Sequence, residues 1–257
     1  RGLLRGRRLP EAVVVVDMGS EVPIVSAVSP ELAACRAAGV RIEVLEVPVA
    51  GQLPLARARN AGARAASSER LIFLDVDCIP GRDLVAAYAQ SNPAALACGP
   101  VRYLAENWQR RCGDQTDREL RAVSVEHVAR PAPEHDHYGS DYDLFWSLSF
   151  GVTSALFDQV GGFDESFVGY GGEDTDFARS AEMIGVPLQW LRNGCAYHQW
   201  HPSSSPPTEH VESIVANARY FHRKWGEWPM RGWLDQFEDA GLIARSPHGI
   251  DLTPMTE

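Results

Sequence analysis

The stretch Leu71-Ile-Phe-Leu-Asp-Val-Asp77 decides the fold, because four consecutive apolar residues lead directly into two aspartates. An uninterrupted apolar run of this length is typical of a strand buried on both faces of a parallel sheet. Asp75 and Asp77 are two positions apart, so both side chains lean to the same side at the end of the strand. Two like charges held together are unfavourable unless a cation joins them. The pair therefore predicts a divalent-metal site, with two solvated acids in a turn as the alternative.

Two more apolar runs precede this strand. Ala12–Val16 is followed by Asp17, and Ile42–Val47 repeats the pattern. Between the second and third runs, Leu53–Ala66 carries apolar residues at helical spacing. Strands that alternate with helices predict a doubly wound α/β layer, in which ligands bind outside the carboxyl ends of the strands. The aspartates that end the first and third runs fall at this edge.

Composition and charge exclude several classes of protein. The 257 residues describe an ordinary globular chain, most simply one large domain with a C-terminal extension. A net charge of −10 argues against a nucleic-acid partner, which needs a cationic face. Apolar runs are far shorter than the roughly 20 residues that span a bilayer, so we expect no transmembrane segment, while peripheral membrane contact stays open. Five cysteines without a CxxC pair predict reduced thiols and a cytoplasmic protein.

A second acidic segment, Gly171-Gly-Glu-Asp-Thr-Asp176, opens the helix that ends near Gly185. Acids in the first turn suit the positive end of the helix dipole, so plain helix capping is one reading. The functional reading is a catalytic turn in which glycines let a ligand approach closely. The helix dipole predicts that Asp174 stays ionised and can take a proton from a hydroxyl group as general base.

A histidine pair in Tyr197-His-Gln-Trp-His201 follows the last predicted strand, Leu188–Leu191. His198 and His201 can supply nitrogen ligands beside carboxylate oxygens, a mixed donor set that suits Mn²⁺, with Mg²⁺ as the alternative. Two ordinary loop histidines are the competing interpretation.

Four motifs stand in order along the chain: Val14-Val-Val-Asp17-Met-Gly-Ser20, Ala58-Arg-Asn-Ala-Gly62, Phe73-Leu-Asp-Val-Asp-Cys78 and Gly161-Gly-Phe-Asp-Glu165 followed by Gly171-Gly-Glu-Asp174. Together they resemble the ordered motifs of glycosyltransferase family two, and the last of them also resembles the C-terminal region of the β-1,4-galactosyltransferases. The resemblance runs from Asp17 to about His201, and it implies a GT-A fold, a nucleoside-diphosphate sugar donor and usually a divalent metal.

The resemblance implies roles on the donor side of the site. Asp17 matches the acid that binds uracil or another base, and Arg59 matches the basic residue near the nucleotide and diphosphate. Asp75 would contact the ribose or the donor sugar. Asp77 would ligate the metal directly, with His198 as the first choice for a histidine ligand.

The same resemblance implies roles on the acceptor side. Glu173 and Asp174 would lie at the donor sugar and the acceptor hydroxyl, with Asp174 as the catalytic base. Trp146 and Tyr170 would stack on sugar rings, although core packing is the alternative for both.

The expected fold class is α/β of the GT-A type, a Rossmann-like and mostly parallel central sheet with helices on both faces. Residues 1–201 would form the catalytic domain, with a nucleotide-binding half at about 1–100 and an acceptor-binding half at about 101–201. Residues 202–257 would be a loop and a helical extension packed on the same domain. The family begins with one strand more than this sequence offers, whereas Arg1–Leu9 looks helical. We therefore expect a further strand upstream of Arg1.

The predicted function is metal-dependent transfer of a hexose, with inversion, from a nucleoside-diphosphate sugar, foremost a UDP-sugar, to a hydroxyl of a saccharide or small molecule. A retaining GT-A transferase and a non-catalytic sugar-nucleotide-binding domain are alternatives. A phosphohydrolase also carries an apolar strand followed by DxD, but it needs a lysine between its acidic motifs. The only lysine of the chain, Lys224, follows all of them.

Overall fold

The structure is a computed structural model that describes residues 1–202, 204–246 and 249–253. Positions 203, 247–248 and 254–257 of the predicted extension lie outside the described residues. The strands are β1 Ala12–Asp17, β2 Arg41–Glu46, β3 Arg70–Leu74, β4 Cys78–Pro80, β5 Leu96–Cys98, β6 Val101–Leu104, β7 Ser124–Glu126, β8 His137–Gly139, β9 Ser149–Thr153, β10 Leu188–Trp190, β11 Ala196–His198, β12 Ile243–Ser246 and β13 Gly249–Leu252. The α-helices are α1 Ile24–Ala27, α2 Ser29–Ala37, α3 Leu55–Ala66, α4 Leu84–Gln90, α5 Asp117–Ala122, α6 Ser154–Val160, α7 Glu173–Met183, α8 Val211–Trp225 and α9 Arg231–Asp239. Among the described residues, no helix has both the length and the apolar character needed to cross a bilayer.

The predicted third strand, β3, is covered by helices on both faces. Leu71 and Phe73 pack into an apolar cluster that includes residues of α3, α6 and α7. Ile72 and Leu74 point the other way and pack against the cluster that contains α4. Because side chains alternate along a strand, four consecutive apolar residues fill both layers. The continuous apolar run is therefore explained by burial on two sides.

The sheet around β3 has the strand order β3-β9-β5-β10-β8. β10 runs parallel to β5, as expected for a wound α/β sheet, whereas β9 runs antiparallel to both β3 and β5. The sheet is thus more mixed than the mostly parallel one predicted. β9 leads straight into α6, and Thr153 caps that helix by accepting a hydrogen bond from the backbone N–H of Leu156. Because β9 begins beside Leu74, where β3 ends, it runs antiparallel to β3.

A second sheet, β4-β11-β6-β7, carries the predicted histidines. β11 pairs antiparallel with β4, and the register places His198 opposite Cys78. The backbone N–H of Gln199 donates to the carbonyl of Asp77 at 2.8 Å. Strand pairing therefore brings His198 next to Asp77, although 121 positions separate them in the sequence.

The first two strands form a separate parallel pair, β1 with β2. Within the described residues, the other edge of β1 has no strand partner, and β3 pairs only with β9. The free edges of β1 and β3 line one cavity, and Ala12–Val16 is only half-buried. The further strand expected beside β1 stays a prediction. The helix expected over Arg1–Leu9 shrinks to one 3₁₀ turn, Leu3–Arg5, since Gly6 leaves the helical region and Pro10 follows.

The C-terminal extension is built on α8 and α9, whose apolar faces form a cluster of their own. Lys224 on α8 ties this extension to the rest of the chain. Its ammonium lies 2.9 Å from a carboxylate oxygen of Asp164 and 2.8 Å from one of Asp176, which is almost fully buried. The indole N–H of Trp225 also donates to Asp176 at 2.8 Å.

Replacing Lys224 by methionine should lower the free energy of unfolding by on the order of 3 kcal/mol, because it strands the buried carboxylate of Asp176 without its cation. Urea unfolding at neutral pH measures this loss. Arg231→Met, which breaks an exposed ion pair with Glu227, is the matched control and should cost less than about 1 kcal/mol. Equal losses in the two variants would contradict the structural role of Lys224.

Candidate functional site

Three side chains converge at the carboxyl end of the DxD segment. Oδ2 of Asp77 lies 3.2 Å from Nε2 of His198 and 3.8 Å from Nε2 of His201. Each residue offers one ligand atom, and these atoms all lie within 4.8 Å of one another. The structure thus brings together the three metal ligands expected from the sequence.

The electrostatics of these three residues are coupled. Burial would raise the pKa of Asp77, but the hydrogen bond from His198 and the charges of both histidines outweigh it and lower that pKa. The same bond raises the pKa of His198 against the effect of burial. Oδ1 of Asp77 is buried, and no described residue offers it a hydrogen bond. A buried carboxylate oxygen is unfavourable unless a hydrogen-bond donor or a cation lies beside it.

The donor set fits a divalent cation. Two ligands that each lie about 2.1 Å from an octahedral metal are about 3 Å apart, close to the separation between Asp77 and His198. One carboxylate and two imidazoles match the preferences of Mn²⁺ better than those of Mg²⁺, which favours oxygen. Tyr103 packs its ring 5.2 Å from that of His198 and supports the imidazole from the side.

Arg59 on α3 lies between acids from distant parts of the chain. Its guanidinium donates to Glu173 at 3.0 Å and to Asp75 at 3.3 Å, and it lies over the ring of Phe163. Burial would lower the pKa of Arg59, but the charges of Asp75, Glu173 and Asp174 raise it above its usual value. Arg59 is therefore paired with carboxylates, and the role near a nucleotide and diphosphate that the resemblance implies for it stays a prediction.

Glu173 and Asp174 occupy the first turn of α7, as predicted. Glu173 is buried, and its Oε2 has no hydrogen-bond partner among the described residues, whereas Asp174 is partly exposed in the wall of the cavity. Burial raises the pKa of both, against the opposing effect of Arg59. The helix dipole alone predicts a lowered pKa for Asp174. The pKa is raised because the effect of burial is larger than those of Arg59 and of the backbone hydrogen bonds from Thr175 and Ser147.

Asp17 ends β1 as expected, but its carboxylate serves the local turn. Oδ1 accepts the backbone N–H of Ser20 at 2.8 Å, and this bond lowers the pKa of Asp17. Met18 lines the cavity that holds the acids, whereas Asp17 is not part of its lining. Its role toward a base remains a proposal.

The two aromatic residues singled out from the sequence both line the cavity. Trp146 lies 4.8 Å from the guanidinium of Arg130 and meets the ring of His127 edge-on. Tyr170 is stacked against the rings of His210, at 4.7 Å, and Trp233, at 5.8 Å. Stacking contacts with protein rings therefore already use the π-face of Tyr170.

The phenol of Tyr170 is set among negative charges. Burial first, and then the charges of Asp174, Glu173, Asp75 and Asp77, raise its pKa to about 12. The hydroxyl therefore stays protonated near neutral pH and can act as a hydrogen-bond donor. The stacking of Tyr170 on a sugar ring, which the resemblance implies, stays a prediction.

Sequence reasoning missed the residues that support this site. Tyr103 packs on His198, the backbone N–H of Ser147 donates to Asp174, and His210 and Trp233 cover the ring of Tyr170. All four act through contacts between segments far apart in the chain, and none belongs to a motif. Of these residues, only Trp233 gives a signal in the sequence, because a large aromatic residue in a C-terminal extension favours packing against the rest of the chain.

The cavity that contains these residues has a volume of about 2470 Å³. It extends from the acids and histidines to the free edges of β1 and β3. A drug-sized ligand needs roughly 300–1,000 Å³, so the cavity as a whole has room for a ligand of several rings.

Two curated proteins resemble this chain. They are the Validoxylamine A glucosyltransferases of Streptomyces hygroscopicus subsp. jinggangensis and subsp. limoneus, each 29% identical over 200 residues. The alignment covers 66% of this chain, but only 44% and 41% of those proteins. The chain thus spans less than half the length of the curated relatives it matches.

Two solved structures share the fold. One is GalNAc-T7 with UDP, GalNAc and Mn²⁺, at a TM-score of 0.53 and 14% identity, covering 93% of this chain and 54% of that one. The other is the mannosyltransferase PcManGT from Pyrobaculum calidifontis with GDP-Man and Mn²⁺, at a TM-score of 0.52 and 16% identity, covering 93% and 63%. At these identities the likeness confirms the α/β GT-A fold and no more.

The family itself is identified by sequence. The model of the family described as Glycosyltransferase like family 2 matches residues 10–186, which include the DxD segment and the acids of α7. The resemblance seen in the four motifs is thereby confirmed, and the chain belongs to the Glycosyltransferase like family 2.

Proposed function

We propose that this protein transfers a hexose from a nucleoside-diphosphate sugar, foremost a UDP-sugar, to an acceptor hydroxyl, with inversion and with the help of a divalent metal. The observation that carries the proposal is the convergence of Asp77, His198 and His201 within one cavity that also contains Asp174. Family membership supports the class of reaction. The geometry supports separate roles for the metal ligands and for Asp174 as the base.

Asp77, His198 and His201 would hold the cation, Mn²⁺ or else Mg²⁺. A bound cation supplies charge neutralisation for a leaving diphosphate. The buried, unpartnered Oδ1 of Asp77 supports a ligand role, because a cation would satisfy it. Asp75, whose carboxylate is about two-fifths exposed, remains free to contact a ribose or donor sugar beside Arg59.

Asp174 is the better candidate for the base of the two neighbouring acids. Glu173 is buried and bound to Arg59, so it cannot reach an acceptor without breaking an ion pair. Asp174 lies in the cavity wall, where a hydroxyl can approach it. Its raised pKa moves it toward the range in which a general base works near neutral pH. Arg59 would then partly neutralise the negative charge beside Asp174, and its ion pair with Glu173 would hold Glu173 in place.

Donor and acceptor chemistry are suggested by the relatives. The curated relatives are named as glucosyltransferases of validoxylamine A, which makes UDP-glucose the first donor to test and validoxylamine A the first acceptor. Trp146 and the hydroxyl of Tyr170 would provide the acceptor wall, by apolar contact and hydrogen bonding respectively. The acidic net charge of −10 supports a small-molecule or saccharide acceptor over nucleic acid.

Two alternatives are less well supported. A phosphohydrolase would need a lysine beside the DxD, but Lys224 is bound to Asp164 and Asp176 in the extension. A non-catalytic binding domain would not require an acid such as Asp174 at the cavity wall. A retaining transferase uses the same metal ligands and is distinguished by its product. All five cysteines are unpaired, which supports the cytoplasm as the proposed compartment.

Removing a metal ligand should weaken nucleotide binding. UDP binding, measured by calorimetry with Mn²⁺, should be weakened about 10–100-fold by EDTA, by Asp77→Asn and by His198→Ala. His137→Ala is the matched control, because His137 lies on β8 outside the cavity. Equal UDP affinity with and without EDTA in the native protein would rule out the metal role.

Removing the base should separate binding from chemistry. Asp174→Asn keeps the size of the side chain but not its proton affinity, so turnover should fall by on the order of 10²–10⁴ while Mn²⁺-UDP affinity stays within about twofold. Asp158→Asn, an exposed acid on α6, is the control. Near-native turnover of Asp174→Asn onto its acceptor would shift the role to Glu173 or to a retaining mechanism. The anomeric configuration of the product, read by NMR, decides between the last two.

The pH profile should show the raised pKa of Asp174. A base must be deprotonated to act, so kcat falls as the pH drops through its pKa. Because burial raises that pKa above 3.8, the acid limb of kcat should lie at distinctly higher pH than for an ordinary aspartate. Mn²⁺ must be saturating at every pH, so that loss of the metal does not itself lower kcat at acid pH. A kcat that stays flat down to about pH 4 would contradict the assignment.

A further inference from the structure

The glycine-rich loop, Gly161–Gly172, joins α6 to α7 and delivers the acids of α7 to the cavity. Helix α8 lies against one side of this loop, and it is outside the residues that the family model matches. The contacts between them are polar and buried, which is uncommon for a helix that only covers a core.

Asn217 on α8 makes most of these contacts. Its side-chain N–H groups donate to the carbonyls of Gly171 at 2.8 Å, Val168 at 3.1 Å and Tyr170 at 3.4 Å. Its carbonyl accepts the backbone N–H of Val168 at 3.4 Å. Asn217 is 4% exposed, so solvent cannot replace these bonds. One side chain therefore fixes the backbone just before Glu173.

Ser213, one turn earlier on α8, holds the same loop. Its hydroxyl accepts the backbone N–H of Tyr170 at 3.2 Å and donates to the carbonyl of His210 at 3.0 Å. His210 in turn stacks on the ring of Tyr170. Both the backbone and the ring of Tyr170 are thus positioned from the extension.

The glycines of this loop are required by the close approach of the extension. Gly169 has a φ of +79°, and a Cβ there would lie 2.6 Å from Cβ of Ser213. Gly171 has a φ of +88°, and a Cβ there would lie 2.9 Å from the sulfur of Met230. The sequence suggested that Gly171 makes room for a ligand, but the nearest side chain there is Met230 of the extension. At Gly169 the side chains of Ser213 in the extension and of Gln52 are about equally near.

We propose that Asn217 is a positioning residue for the transfer reaction, which holds the glycine-rich loop so that Asp174 and the hydroxyl of Tyr170 face the metal ligands. The inference rests on the proposed function for its catalytic part. Its structural part, that Asn217 holds the loop, stands on the hydrogen bonds alone. A shift of about 1 Å in a reacting group can cost on the order of 10²-fold in rate, so a modest loosening of the loop has a measurable effect.

The test uses the full chain with Asn217→Leu, which keeps the volume and removes the hydrogen bonds. Val215→Ala is the matched control, because Val215 is buried on α8 in the apolar cluster of the extension, without a hydrogen bond to the loop. Asn217→Ser serves as a milder variant if the leucine protein does not fold. Three quantities are measured: the midpoint of thermal unfolding, hydrogen exchange over residues 163–174, and nucleotide release from UDP-glucose with Mn²⁺.

The expected result is faster exchange of the loop amides and a kcat lowered by about 10–100-fold in Asn217→Leu. Affinity for Mn²⁺ and UDP should change less than threefold, since Asp77, His198 and His201 lie on other elements. Val215→Ala should lower the unfolding midpoint while kcat and loop exchange stay close to native. Equal losses of kcat in both variants, or unchanged loop exchange in Asn217→Leu, would overturn the proposal.

Failure of the proposed function gives a different pattern. If the native protein releases no nucleotide from any UDP- or GDP-sugar, the transferase assignment fails. Loop exchange then still decides whether Asn217 holds the glycine-rich loop.

Discussion

The concentration of negative charge at one cavity is the constraint on which the rest of the site depends. Asp75, Asp77, Glu173 and Asp174 line it together, and in the folded chain they cannot move apart. Arg59 balances two of them directly, and the histidines on and after β11 balance Asp77. Within the described part of the chain, what remains is an excess of negative charge and two buried carboxylate oxygens without hydrogen-bond partners. The affinity expected for a cation follows from this excess, and the charge of Asp174 adds to the effect of burial in raising the pKa of Glu173. The raised pKa of Asp174 itself follows from burial.

Much of the fold was predictable because local patterns specify it. The apolar run before Asp75, the helix of α3 and the acids at the start of α7 all follow from spacing within a few residues. The antiparallel direction of β9 was not predictable, since it depends on pairing with β3 and β5, which are distant in sequence. The same limit applies to the register of β11 on β4, although the motifs suggested that its histidine meets the DxD.

The candidate site shows the same division between local and distant information. Residue types such as Asp77 and His198 were identifiable from the chemistry of metal ligands. The partners of Arg59 were not, because an arginine on a helix gives no sign of which acids fold against it. The stacking of Tyr170 against His210 and Trp233 was not predictable from the sequence either, because both partners belong to the extension and lie far from Tyr170 along the chain. Burial also reversed the direction expected for the pKa of Asp174, and burial is a property of the whole fold.

The pairing of Lys224 with Asp164 and Asp176 has a consequence for covalent chemistry on this protein. Since the chain contains one lysine, reagents or enzymes that modify side-chain amines have a single target, and its ammonium is engaged by two carboxylates. Acylation would remove the charge and leave the buried carboxylate of Asp176 without its cation. The degree of labelling at this amine therefore reports, in a mass spectrum, how often the ammonium leaves its two carboxylates.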